Sequence, residues 1–123
     1  MLPGPMRTYL PILVLLLGAC GDPAGVVAPE RMEPLPEYAA WWTEAVSCTD
    51  RTGADFSAIS WYRVRSVSAA GHANYVAGAW EPPHTIYLLY SAIGDKKVVQ
   101  HEMLHDLLQG DPRHQHPCFL SLD

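Results

Sequence analysis

The chain has 123 residues, 49% of them hydrophobic, and a formal net charge of −5. That length provides for one domain and not two. The mild acidity, with no basic cluster, excludes nucleic acid as an expected partner.

In chain order, the first stretch is expected to lie outside the fold. Arg7 supplies a short positive region, Tyr9 to Leu17 is almost wholly apolar, and Gly18 and Ala19 are small. This is the pattern of a secretory signal. Nine apolar residues span only about 14 Å as a helix, against a hydrocarbon core of about 30 Å, so a membrane-spanning helix is not expected. The ending Leu17-Gly18-Ala19-Cys20 resembles the lipobox of bacterial lipoproteins. That resemblance implies removal of residues 1–19, acylation of Cys20 and a place in the bacterial cell envelope, facing periplasm or exterior. The membrane is then a partner through the lipid on Cys20, since two or three acyl chains anchor far better than one.

Gly21 to Pro36 contains four prolines and scattered charge. It reads as an extended tether over 20–36 that holds a domain of residues 37–123 off the bilayer. The domain opens with a helix from Pro36 to about Ser47, in which Tyr38, Trp41, Trp42, Ala45 and Val46 form one apolar stripe. A turn follows at Thr49 to Gly53. Ile59 to Val67 alternates as a two-faced strand, and Asn74 to Trp80 is a weaker strand interrupted by Gly78. Thr85 to Tyr90 is β-prone with little polarity, as suits a strand covered on both sides. Asp95 then caps a second helix that Gly110 ends and Pro112 keeps from resuming. The expected fold class is α+β: an N-terminal helix, a small three-stranded antiparallel or mixed sheet, a second helix and a short tail.

The second helix carries His101-Glu102-Met103-Leu104-His105. Histidines four apart project from one helical face, at a spacing that lets both bind one zinc ion. Glu102, one step round, is placed to act as general base on a water at the metal. A third ligand has to come from elsewhere. His114 is favoured, because the chain turns at Gly110 to Pro112 and can return to the metal. His116 and then Asp111 are the alternatives, and His72 and His84 are possible upstream.

With Cys20 committed to lipid, Cys48 and Cys118 remain. Two leftover thiols in an oxidising compartment usually pair, and this bridge would pin the tail against the first helix. The other reading is a zinc-bound cysteine.

On the motif and its flanks, roughly Thr85 to Phe119, the chain resembles the zincin metallopeptidases. The resemblance implies one zinc ion, a peptide or protein substrate, and a strand at Thr85 to Tyr90 that borders the cleft and pairs with extended substrate. The pattern departs from the two main clans. Leu108 and Asp111 stand where metzincins have glycine and a third histidine, no methionine follows Met103, and no glutamate follows Glu102. Oxyanion donors of the required kind are Tyr75, Tyr87, Tyr90, His84 and Arg113. The expected function is a monomeric zinc peptidase. The alternatives are a non-catalytic zinc-binding or interaction lipoprotein, and a structural lipoprotein without metal.

Overall fold

A computed structural model describes residue 4 and residues 25–68 and 76–122. The signal segment 1–19 apart from residue 4, the acylation residue Cys20, His72 and Tyr75 lie outside the described residues. In chain order the elements are β1 (Val26–Val27), β2 (Glu30–Arg31), α1 (Tyr38–Thr49), β3 (Ser60–Val64), β4 (Ser66–Val67), β5 (Gly78–Glu81), β6 (Thr85–Leu89), α2 (Lys96–Leu108) and α3 (Cys118–Ser121). No helix among the described residues is long and apolar enough to cross a membrane.

The apolar run of β6 makes it an interior strand. Ile86, Tyr87 and Leu88 are all buried. They alternate between two cores, because successive strand residues face opposite sides. Ile86 and Leu88 join Trp61, Tyr38, Trp42, Ala45, Val99, Met103 and Leu104 in a core between sheet and helices. Tyr87 joins Val26, Val64 and Val67 on the other side. The main sheet runs β2-β3-β6-β5, and a two-stranded sheet, β1-β4, holds the second core. β3 pairs parallel with β6, while the β2–β3 and β5–β6 pairs are antiparallel. The α+β class and the mixed sheet are as expected, but the main sheet has four strands and not three, because β2 joins it, and a second, two-stranded sheet and the short helix α3 are added.

Several details differ. Thr85–Leu89 is not an edge, because β3 and β5 pair with it on either side. Its low polarity reflects that enclosure, and the edge position belongs to β5. The expected Ile59 to Val67 strand divides at Arg65, where the chain leaves β3 and β4 pairs with β1. The tether reading fails from Val26 onward. β1 and β2 pair into the two sheets, Val26 is buried, and Met32 and Leu35 pack on the main core. Prolines mark that segment as irregular, yet they are tolerated beside short edge strands, and the apolar residues between them are what is buried.

Cys48 and Cys118 are joined in a disulfide across a sequence separation of 70. The bond fastens the last turn of α1 to the first residue of α3. Closing so long a loop stabilises a fold by up to about 4 kcal/mol, chiefly by restricting the unfolded chain. Urea unfolding of a Cys48→Ser, Cys118→Ser variant should show a loss of roughly 2–4 kcal/mol. An unchanged midpoint would remove the bridge from the account of stability.

Candidate metal centre

The centre begins with the start of α2. The Asp95 carboxylate accepts hydrogen bonds from the amides of Lys97 and Val98, which fixes where the helix begins. From there Val99, Met103, Leu104 and Leu107 are buried in the main core. His101, Glu102 and His105 lie on the side that faces β5 and the cleft. The strand approaches this face closely at Gly78. A Cβ there would stand 3.1 Å from Glu102 Cγ, 3.1 Å from the Tyr87 carbonyl and 3.3 Å from Val98 Cγ1. Glycine at this position is what lets the edge strand lie against the helix that carries the motif.

The tail completes the set. α2 ends at Gln109, which takes the left-handed conformation one residue before the expected glycine. Asp111 and His114 are also left-handed. The Asp111 carboxylate accepts from the amides of Gln115 and His116, at 3.0 and 2.8 Å. Those bonds hold its carboxyl below the usual carboxylate range and fold the loop. His116 Nδ1 accepts from the Cys118 amide at 3.1 Å, at the start of α3. Asp111 and His116 therefore organise the loop, and His114 is the residue it delivers. Left-handed backbone at three non-glycine residues lies outside what pattern reading of the sequence anticipates.

The ligating atoms of His101, His105 and His114 all lie within 4.8 Å of one another. His105 Nε2 is 3.3 Å from His101 Nε2 and 3.1 Å from His114 Nε2. His105 Nδ1 donates to the Gly110 carbonyl at 2.8 Å. With its proton on Nδ1, His105 presents a bare Nε2 to the other two rings. One lone pair cannot take full hydrogen bonds from both neighbours. A cation among three lone pairs satisfies all of them, and nitrogens bound tetrahedrally at about 2.1 Å stand about 3.4 Å apart. The three histidines therefore fit a metal ion. Burial depresses the His105 pKa, partly offset by its bond to Gly110, which favours the neutral ligand form.

Residues that the sequence did not single out frame this set. Trp80 lies nearly parallel to His105, at a centroid distance of 6.4 Å. Its indole donates to Asp106 Oδ1 at 3.0 Å. The buried Asp106 carboxylate is also 3.0 Å from His84 Nδ1. One carboxylate on α2 thus joins the edge strand and the turn after it to the helix that carries His101 and His105. It also engages His84, which stands outside the cluster of His101, His105 and His114. Phe119 lies about 5 Å from all three imidazoles, at 5.1, 5.0 and 4.8 Å. It follows Cys118, so the disulfide holds it in place. Asp106, immediately after the second histidine, was the one signal open to sequence reading, because a carboxylate in an apolar helix needs a partner.

Glu102 is buried. Desolvation raises its pKa to about 8. Its carboxyl lies in the wall of a cleft of ≈ 860 Å³ that also takes in His101, His105, His114, Lys97 and Tyr87. Of the expected oxyanion donors, Tyr87 lines this cleft, whereas Tyr90, His84 and Arg113 do not. Comparison with protein-family models, with curated proteins and with solved structures gives no match.

The Glu102 environment predicts a pH effect in protein kept metal-free with chelator. A carboxyl whose folded pKa is raised to about 8 contributes stability below its unfolded pKa, and that contribution is lost as pH rises through about 8. Between about pH 5 and 9 the parent should therefore lose stability relative to Glu102→Gln, as read by denaturant titration. A gap that stays constant across this range contradicts a desolvated carboxyl at Glu102.

Proposed function

We propose that this protein is a zinc-dependent peptidase that hydrolyses peptide bonds outside the cytoplasm. The observation that carries the reading is one cleft wall holding three convergent imidazole nitrogens and a buried carboxylate, Glu102. Three imidazoles with no thiolate suit zinc with one position left open, the arrangement of catalytic sites. Zinc bound by His101, His105 and His114 supplies Lewis acidity, which lowers the pKa of water and polarises a carbonyl.

The chain's own residues do the rest. Glu102 takes a proton as the nucleophile forms and passes it to the leaving amine. Its desolvated carboxyl is a better base than one in water. The Gly110 carbonyl and the Trp80 ring fix the plane of His105. Among the described residues β5 has no strand partner on its outer edge, so its backbone groups are open to an extended peptide. β5 takes over the role that the zincin resemblance had assigned to Thr85 to Tyr90. Tyr87 lines the part of the cleft beside Val26 and Val67, and its hydroxyl donates to Glu81 Oε2, so the oxyanion donor is left unassigned. A purely zinc-binding lipoprotein leaves the buried Glu102 without a task, and that ranks it second.

Two measurements test the reading. Zinc titration should show affinity reduced by orders of magnitude in His101→Ala, His105→Ala and His114→Ala, and little changed in His116→Ala. On a mixed peptide library, Glu102→Gln should keep its zinc and lose roughly 10²–10⁴ in turnover. Bound zinc without Glu102-dependent cleavage would leave only the binding function.

A further inference from the structure

The cleft does not end at the histidines. It continues past β5 to Val26, Val67 and Val76, beside the small sheet β1-β4. Val26 belongs to the N-terminal segment, and only five residues lie between it and Cys20. The six Cα–Cα steps from Cys20 to Val26 span at most about 21 Å in any conformation. The chain that would join a lipid anchor to the domain is therefore far shorter than the tether of 20–36 suggests, and it enters at one end of the cleft.

The surface around that entry matches a bilayer. Val27, next to Val26, is 51% exposed. Arg31, Arg63 and Arg65 are exposed on β2, on β3 and between β3 and β4. The Arg65 amide donates to the Val27 carbonyl, which fixes that arginine beside the entry strand. Arg63 is paired with Glu30, and Arg31 lies over the Tyr62 ring. Arg31 and Arg63 project from opposite faces of the main sheet and Arg63 is neutralised by Glu30, so Arg65 is the exposed cation beside the entry strand, with the sign that anionic headgroups attract.

We propose that the acylated chain holds the Val26 end of its cleft against the membrane, and that its substrates are extended polypeptide segments close to the bilayer surface. Such segments are the juxtamembrane stretches of membrane-spanning proteins and the first residues of other lipid-anchored chains. The proposal rests on the peptidase reading and on acylation of Cys20. Its specificity comes from height above the membrane, since two molecules confined to one surface meet at a high effective concentration only where their reach overlaps.

The experiment uses the full chain, processed and acylated, in vesicles of phosphatidylethanolamine and phosphatidylglycerol. The vesicles also carry one lipid-anchored peptide, displayed on rigid proline spacers of increasing length. Cleavage should be efficient on short spacers and fall at least about tenfold once the site stands well beyond the roughly 21 Å reach of the anchor plus the length of the cleft from Val26 to the histidines. A flexible insertion between Cys20 and Gly25 should restore cleavage of the taller substrates. The unacylated Cys20→Ser chain should cut the same peptides in solution without regard to spacer. If Cys20→Ser cuts nothing, the peptidase reading itself fails. If Cys20→Ser is active but the anchored chain cuts every height equally, the surface proposal alone is overturned.

A second readout does not depend on activity. Paramagnetic headgroup lipids should broaden the amide signals of Val27, Arg65 and Val67 more strongly than those of α1. Uniform broadening, or none, counts against a fixed membrane-facing end.

Discussion

Three imidazole nitrogens pointed at one another, with only one proton position settled, form an arrangement that proteins do not hold without a reason. His105 has its Nδ1 proton bound to the Gly110 carbonyl, so its Nε2 faces His101 and His114 with a lone pair. A positive ion at the centre would resolve this convergence, and much of the surrounding structure holds the three rings together. The Asp95 cap sets the start of the motif helix. Gly78 admits the edge strand to within van der Waals contact of Glu102. Asp106 draws Trp80 and His84 onto the same helix. The disulfide and the Asp111 loop bring His114 back.

These supports are not equal in kind. The disulfide acts mainly on the unfolded chain and holds Phe119 beside the three rings. The Asp106 bonds are buried and specific. Their removal leaves unpaired polar groups, so they fix geometry more than they add net stability. Glu102 goes the other way. Its burial destabilises the charged form, and the proposed general-base role would draw on that.

Much of this was legible in the sequence, and the reasons differ by element. Helical periodicity and an aspartate cap located α2, and histidines four apart fixed two of the three converging nitrogens. His114 was favoured on reach alone, and the structure brings it to the other two. The same reasoning could not separate His114 from His116 and Asp111. That choice depends on left-handed backbone at Gln109, Asp111 and His114, which carries no pattern in non-glycine residues. β6 was readable as a covered strand, but its neighbours were not, because pairing is set by distant partners. The N-terminal segment misled for a related reason. Its prolines are conspicuous, whereas the burial of Val26 depends on Val67 and Tyr87 far along the chain. That burial ties the start of the domain to the cleft itself.

The most direct measurement of the central claim is X-ray absorption at the zinc edge, on protein purified with its disulfide intact. One zinc per chain is predicted, bound by three imidazole nitrogens at about 2.0–2.1 Å and one lighter oxygen. The spectrum should lose one imidazole in His114→Ala and none in His116→Ala. Protein that contains no zinc, or a coordination shell unchanged by loss of His114, would contradict the account.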